Sequence, residues 1–141
     1  MQWIHFAILA GTSYGVYNFF TKITADKFSP TVSLMIITGT AFIVSIIGTL
    51  ILRSLGYPLL FDKSSLHKPI LSGIFYGTAV IFYVIMFSKG APLSLGNPLV
   101  SALLTIVVTI LSVVFLRESL NPARIIGLVT VIIGFFILAR S

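Results

Sequence analysis

The sequence predicts an all-α integral membrane protein, a bundle of five transmembrane helices, on three observations. Of the 141 residues 57% are hydrophobic and 9% are charged, with a mean hydropathy of +1.13; a soluble domain carries about 25% charged residues. The charges are clustered, leaving stretches 1–21, 29–52, 69–88, 90–116 and 125–139 free of Asp, Glu, Lys and Arg. A bilayer core about 30 Å thick is crossed by roughly 20 apolar helical residues. Four of the stretches have that length, and the fifth reaches it with its capping residues. Third, prolines stand where each of the last four helices would begin.

A proline lacks an N–H and has φ preset near −65°, which suits the first position of a helix. Ser29-Pro30 therefore opens the second helix, with Ser29 as N-cap, Pro69 the third, Pro92 the fourth and Asn121-Pro122 the fifth. The helices are predicted at about 2–24, 30–53, 69–89, 92–117 and 122–140, in one domain covering 1–141. Only 54–68, with Gly56 and Pro58, reads as a long loop. Pro98 leaves two possibilities open. Either it lies inside the fourth helix and leaves the Ser94 carbonyl without its amide partner, as happens beside substrate cavities, or Asn97-Pro98 is itself the helix start.

Other classes fail on physical grounds. A chain this short cannot hide five helices that are apolar on every face in a soluble core. Continuous apolar runs are not the alternating pattern of a transmembrane barrel. The first stretch lacks the basic start and small-residue cleavage site of a signal peptide and is read as a retained helix. The net charge of +6 lies at helix ends, where it meets lipid headgroups and not nucleic acid. Without cysteine there is neither a disulfide nor a thiolate metal site. Three acids and two histidines, no two on one helix, do not make an enzyme's acid–base or nucleophilic centre. No cofactor and no metal are expected.

The run from Leu116 through Arg117-Glu118-Ser119-Leu120-Asn121-Pro122 to Gly127, with Gly134 seven residues on, resembles the end of an EamA-type domain of the drug/metabolite transporter superfamily. The usual pattern there is a Gly-Glu or similar turn, a Leu, a short cap and a Gly-containing apolar helix. Residues 91–108 resemble the family's fourth helix, and Ser13-Tyr14-Gly15 through Lys22 to Ser29-Pro30 resembles its first. The resemblance spans nearly the whole chain. It implies half of an inverted-repeat transporter, since most similar proteins carry two such domains in opposite orientation. A more distant likeness is to the small multidrug resistance proteins, whose first helix holds a glutamate for protons and cationic drugs. Here residues 11–18 contain no carboxylate, which argues against cation export.

The implied function is secondary transport or export of a small metabolite: an amino acid or a similar neutral, zwitterionic or anionic solute. The alternatives are an accessory half-size subunit paired with a different chain, and a small multidrug exporter. Tyr14, Tyr17 and Asn18 on the first helix are polar side chains in hydrocarbon that require partners, as are Tyr76 and Tyr83 on the third. They are candidate substrate contacts, or interface anchors. Ser94, Asn97, Ser101, Thr105, Thr109 and Ser112 form a stripe on the fourth helix. That stripe either lines a solute path or holds helices together; Asn97 and Ser101 are its candidates for substrate contact. Lys22 either attracts an anionic solute or snorkels to the headgroups. His5 is the titratable group of the first helix near neutral pH, placed for an interfacial role or a proton relay, and Glu118 beside Arg117 is read as a surface ion pair or a dimer contact.

One five-helix unit supplies one wall of a pore, so an antiparallel homodimer is expected, with Gly127 and Gly134 marking a close helix contact within or between chains. If all five helices cross, Arg53, Lys63, Lys68, Arg117 and Arg124 lie on one side and Lys22, Lys27, Lys89 and Arg140 on the other. Such near balance leaves orientation weakly set and suits dual topology. The expected location is the plasma membrane of a bacterium or archaeon.

Overall fold

The computed structural model describes residues 3–140, apart from the side chain of Ala139. Five α-helices follow one another: α1 Trp3–Thr24, α2 Pro30–Ser54, α3 His67–Ser88, α4 Leu93–Leu116 and α5 Pro122–Arg140. A single 3-10 turn, Lys63–Ser65, precedes α3. No strand occurs among the described residues. Among the described residues three spans are long and apolar enough to cross a membrane: α2, Lys63–Ser88 and α4. The polar stretch 11–18 dilutes α1, and the apolar part of α5, Pro122–Leu138, is shorter. Phe42, Phe75 and Phe115 are 67–75% exposed, and large apolar surfaces of that kind are covered by lipid or by another chain.

The capping chemistry follows the prolines. The Ser29 hydroxyl accepts the Val32 amide at 3.4 Å, and Pro30 is the first helical residue. Asn121 Oδ1 accepts the Arg124 amide at 2.8 Å ahead of Pro122. The third helix starts two residues before the predicted Pro69, because the first amides of a helix have no intrahelical acceptor and a proline is tolerated anywhere in that turn. In the preceding loop Asp62 accepts hydrogen bonds from the Ser64 hydroxyl at 2.7 and 2.8 Å and its amide at 2.9 Å. The Ser64 hydroxyl above all holds the carboxyl below its usual range. Pro98 lies inside α4, and Pro92 is the residue before it.

The chain divides into two compact units, one ending at Gly90 and one beginning at Ala91. In the first, α1 and α2 both pack on α3. Its core is a stripe along α3, Val80, Val84 and Phe87, at helical spacing and buried. Gly90 ends α3 with φ 93, a left-handed position that glycine occupies without strain, and its amide reaches the Phe87 carbonyl at 3.0 Å. The second unit is a hairpin of α4 against α5.

Arg117 closes α4 in the left-handed region, at φ 56 and ψ 33. The amides of Arg117 and Glu118 both turn back to the Ser112 carbonyl. A side chain there costs about 1–2 kcal/mol, partly offset in a glycine variant by about 0.4–1 kcal/mol of extra unfolded-state entropy. Arg117→Gly is therefore expected to raise the melting temperature of the purified protein by a few degrees. Arg117→Ala, which loses the same charge and keeps a Cβ, brings no such gain. Equal melting of the two variants would refute the strain.

Candidate functional site

The polar face of α1 is built by helical spacing. Tyr14, Tyr17, Asn18, Thr21 and Lys22 fall on neighbouring turns, and Asn18 and Thr21 are buried at 7% and 5% exposure. Against them α3 presents Tyr83 and Phe87. Tyr14 meets Tyr17 edge-on at 6.4 Å between ring centroids. Tyr17 stacks on Tyr83 at 6.1 Å with an interplanar angle of 22°, and Tyr83 meets Phe87 edge-on at 4.9 Å. The Lys22 ammonium stands over Phe87, 5.9 Å from its centroid, within cation–π range. The result is an aromatic ladder from α1 to α3 with a buried amide beside it and a cation at one end.

The predicted residues divide accordingly. Tyr14, Tyr17, Asn18 and Tyr83 come together, and Lys22 joins them by lying over a buried ring. Tyr76 is 48% exposed on α3. His5 is exposed. In the second unit Asn97 is half-buried, one residue before the proline inside α4, and Ser101 is exposed. Within the stripe of α4, Thr105 donates to the Ser101 carbonyl at 2.8 Å, Thr109 to Thr105 at 2.8 Å and Ser112 to Thr109 at 3.1 Å. Those hydroxyls are satisfied by their own helix, which is how a hydroxyl is accommodated in lipid without a solute. Among the described residues nothing beyond the helix's own nearby backbone lies within 4 Å of a Cβ built on Gly127 or Gly134, so these two positions of α5 are open there.

Each unit has a hollow beside these features among its described residues. An apolar groove of about 410 Å³ runs along the hairpin beside Ile106, Val113 and Leu128. Its polar member, Thr109, already directs its hydrogen to Thr105. The other is a cleft of about 210 Å³ in the first unit, between the last turns of α1 and the first turns of α2. Tyr17, Thr21, Thr24 and Ser33 are among its lining residues, and Phe20, Phe28 and Ile37 supply apolar walls. Thr21 and Ser33 were not among the predicted site residues. Thr21 is legible as the next turn after Tyr17, whereas Ser33 becomes visible only once α1 and α2 are placed together.

A helical membrane protein with its polar and aromatic side chains gathered between helices is the class that this architecture defines. The model of the EamA-like transporter family matches residues 1–140. The chain belongs to that family, which is one of membrane transporters of small solutes and not of enzymes. An uncharacterized protein of Methanocaldococcus jannaschii is 28% identical over 139 residues, covering 95% of this chain and 93% of its own. No solved structure matches.

Proposed function

We propose that the chain is a half-size secondary transporter of a small neutral, zwitterionic or anionic metabolite such as an amino acid, working as an antiparallel homodimer in the plasma membrane of a bacterium or archaeon. The observation that carries this reading is the α1–α3 ladder with Asn18 buried beside it. An amide and stacked phenols in lipid-embedded helices suit hydrogen bonding and stacking with a solute. Substrate contacts are assigned to Tyr14, Tyr17, Asn18 and Tyr83 in the first unit, with Tyr76 and Lys22 at its margins, and to Asn97 and Ser101 in the second. The open glycine face of α5, Gly127 and Gly134, is assigned to the second copy. The test is uptake of a metabolite panel into proteoliposomes, with and without a proton gradient. No uptake of any solute by the reconstituted protein would overturn the reading.

All three acids, Asp26, Asp62 and Glu118, lie outside the α-helices, so proton coupling through a mid-membrane carboxylate is not part of the proposal. His5, on α1, lies exposed near the N-terminal end. Transport by His5→Ala is expected to keep the wild-type pH profile. A profile flattened by the substitution would make His5 the proton carrier.

A further inference from the structure

We infer that the loop between α2 and α3 is a membrane-surface anchor: its apolar run 57–61 lies in the headgroup layer, and its flanking cations bind anionic lipid. Tyr57, Leu59, Leu60 and Phe61 are 60–90% exposed, and Pro58 between them is exposed as well. Loops that meet water are ordinarily polar, and an apolar run left uncovered by its own chain is unfavourable there. The turn that follows, Asp62 to Ser65, has the ordinary composition. The run before it does not.

Position decides what covers the run. With 25 residues α2 is about 37 Å long, against roughly 30 Å for a bilayer core, so its last turn, with Arg53, reaches the headgroups. Gly56, at φ 87, turns the chain there, and the Tyr57 amide folds back to the Leu52 carbonyl at 3.1 Å. Residues 55–62 then lead to the turn before α3. A segment of that length, fastened at both ends, rises no more than about 14 Å. Charge points the same way. Arg53, Lys63 and Lys68 flank the run, all exposed, and the one acid among them is Asp62. Its carboxylate already accepts the Ser64 hydroxyl and amide. Apolar side chains between exposed cations complement acyl chains beneath anionic headgroups, and Tyr57 suits the level between the two. The same loop of a second copy would instead bring like charges together. Headgroup depth is hydrated, so a cysteine in the run still reacts with an aqueous maleimide. The inference rests on α2 and α3 crossing a bilayer and not on transport.

The experiment uses the full chain in lipid nanodiscs. Phe61→Trp is made together with Trp3→Phe, so that the new indole is the only one in the protein. In phosphatidylglycerol discs, lipids brominated near the top of the acyl chain should quench this indole. Acrylamide in the water should quench it several-fold less than free tryptophan. Lys63→Gln with Lys68→Gln should raise the acrylamide quenching several-fold, since each basic residue near an anionic surface is worth about fivefold in binding. Phosphatidylcholine in place of phosphatidylglycerol should do the same. Leu59→Trp in the same background reads the run independently of Phe61. Full acrylamide quenching of both indoles, with none by brominated lipid, means that the loop stands in water and overturns the inference. Protection from both quenchers means that a second copy covers the run, which overturns it as well. Acrylamide quenching that is equal with and without the two lysines overturns the role of anionic lipid. None of these readouts involves uptake, so a failed anchor leaves the transport proposal standing, and a failed transport assay leaves the anchor standing.

Discussion

Asn18→Ala is expected to reduce solute uptake by proteoliposomes about ten- to a hundredfold, the effect of losing about 1.5–3 kcal/mol from a hydrogen bond to a charged or strongly polar solute group. Asn18 is 7% exposed, on the helix face that carries Tyr14 and Tyr17. An amide offers two donors and an acceptor, which phenols alone do not supply together. Asn97→Ala is expected to act with similar size from the second unit, where the residue sits half-buried just before the proline inside α4. Both variants should purify at the wild-type yield and oligomeric size. Normal uptake by both would remove these amides from the solute's path. Loss of uptake together with loss of assembly would give them a structural role instead.

The second large effect concerns orientation. Five basic residues against four on the two predicted sides is too small a bias to fix one topology, and a chain inserted both ways would itself create the inverted repeat of a transporter. Leu60, in the loop before α3, is 90% exposed, and the protein has no cysteine of its own. In intact cells a membrane-impermeant maleimide is expected to label about half of a Leu60→Cys population, the rest reacting only after permeabilisation, as the proposed dual topology requires. Labelling confined to one side would eliminate the antiparallel homodimer and leave a parallel dimer or a pairing with a different chain.

Helix existence and most helix ends were legible in the residues because the two signals that define them are local. Ser29-Pro30 and Asn121-Pro122 cap their helices as expected, and α5 ends at Arg140 as predicted. α3 begins at His67, two residues ahead of Pro69, because any position in the first turn accommodates a proline. Pro98 was ambiguous because a proline inside a helix and a proline at its start have the same local sequence; the structure places it inside. The candidate site was half legible. Tyr14, Tyr17 and Asn18 announce themselves as polar residues at one helical spacing. Ser33 looks like any other serine in an apolar helix, and what distinguishes it is the missing backbone bond and the α1 wall opposite.

The α4–α5 hairpin also bears on how the chain is made. Its two helices are joined by the five residues 117–121, its turn is closed by amides returning to Ser112, and Asn121 caps the second arm. All of these contacts are close in sequence, so little chain entropy is lost in forming them. The hairpin is therefore expected to pair soon after α5 has been synthesised, so that a solitary α4, its apolar flank not yet covered by α5, is a short-lived species during biogenesis.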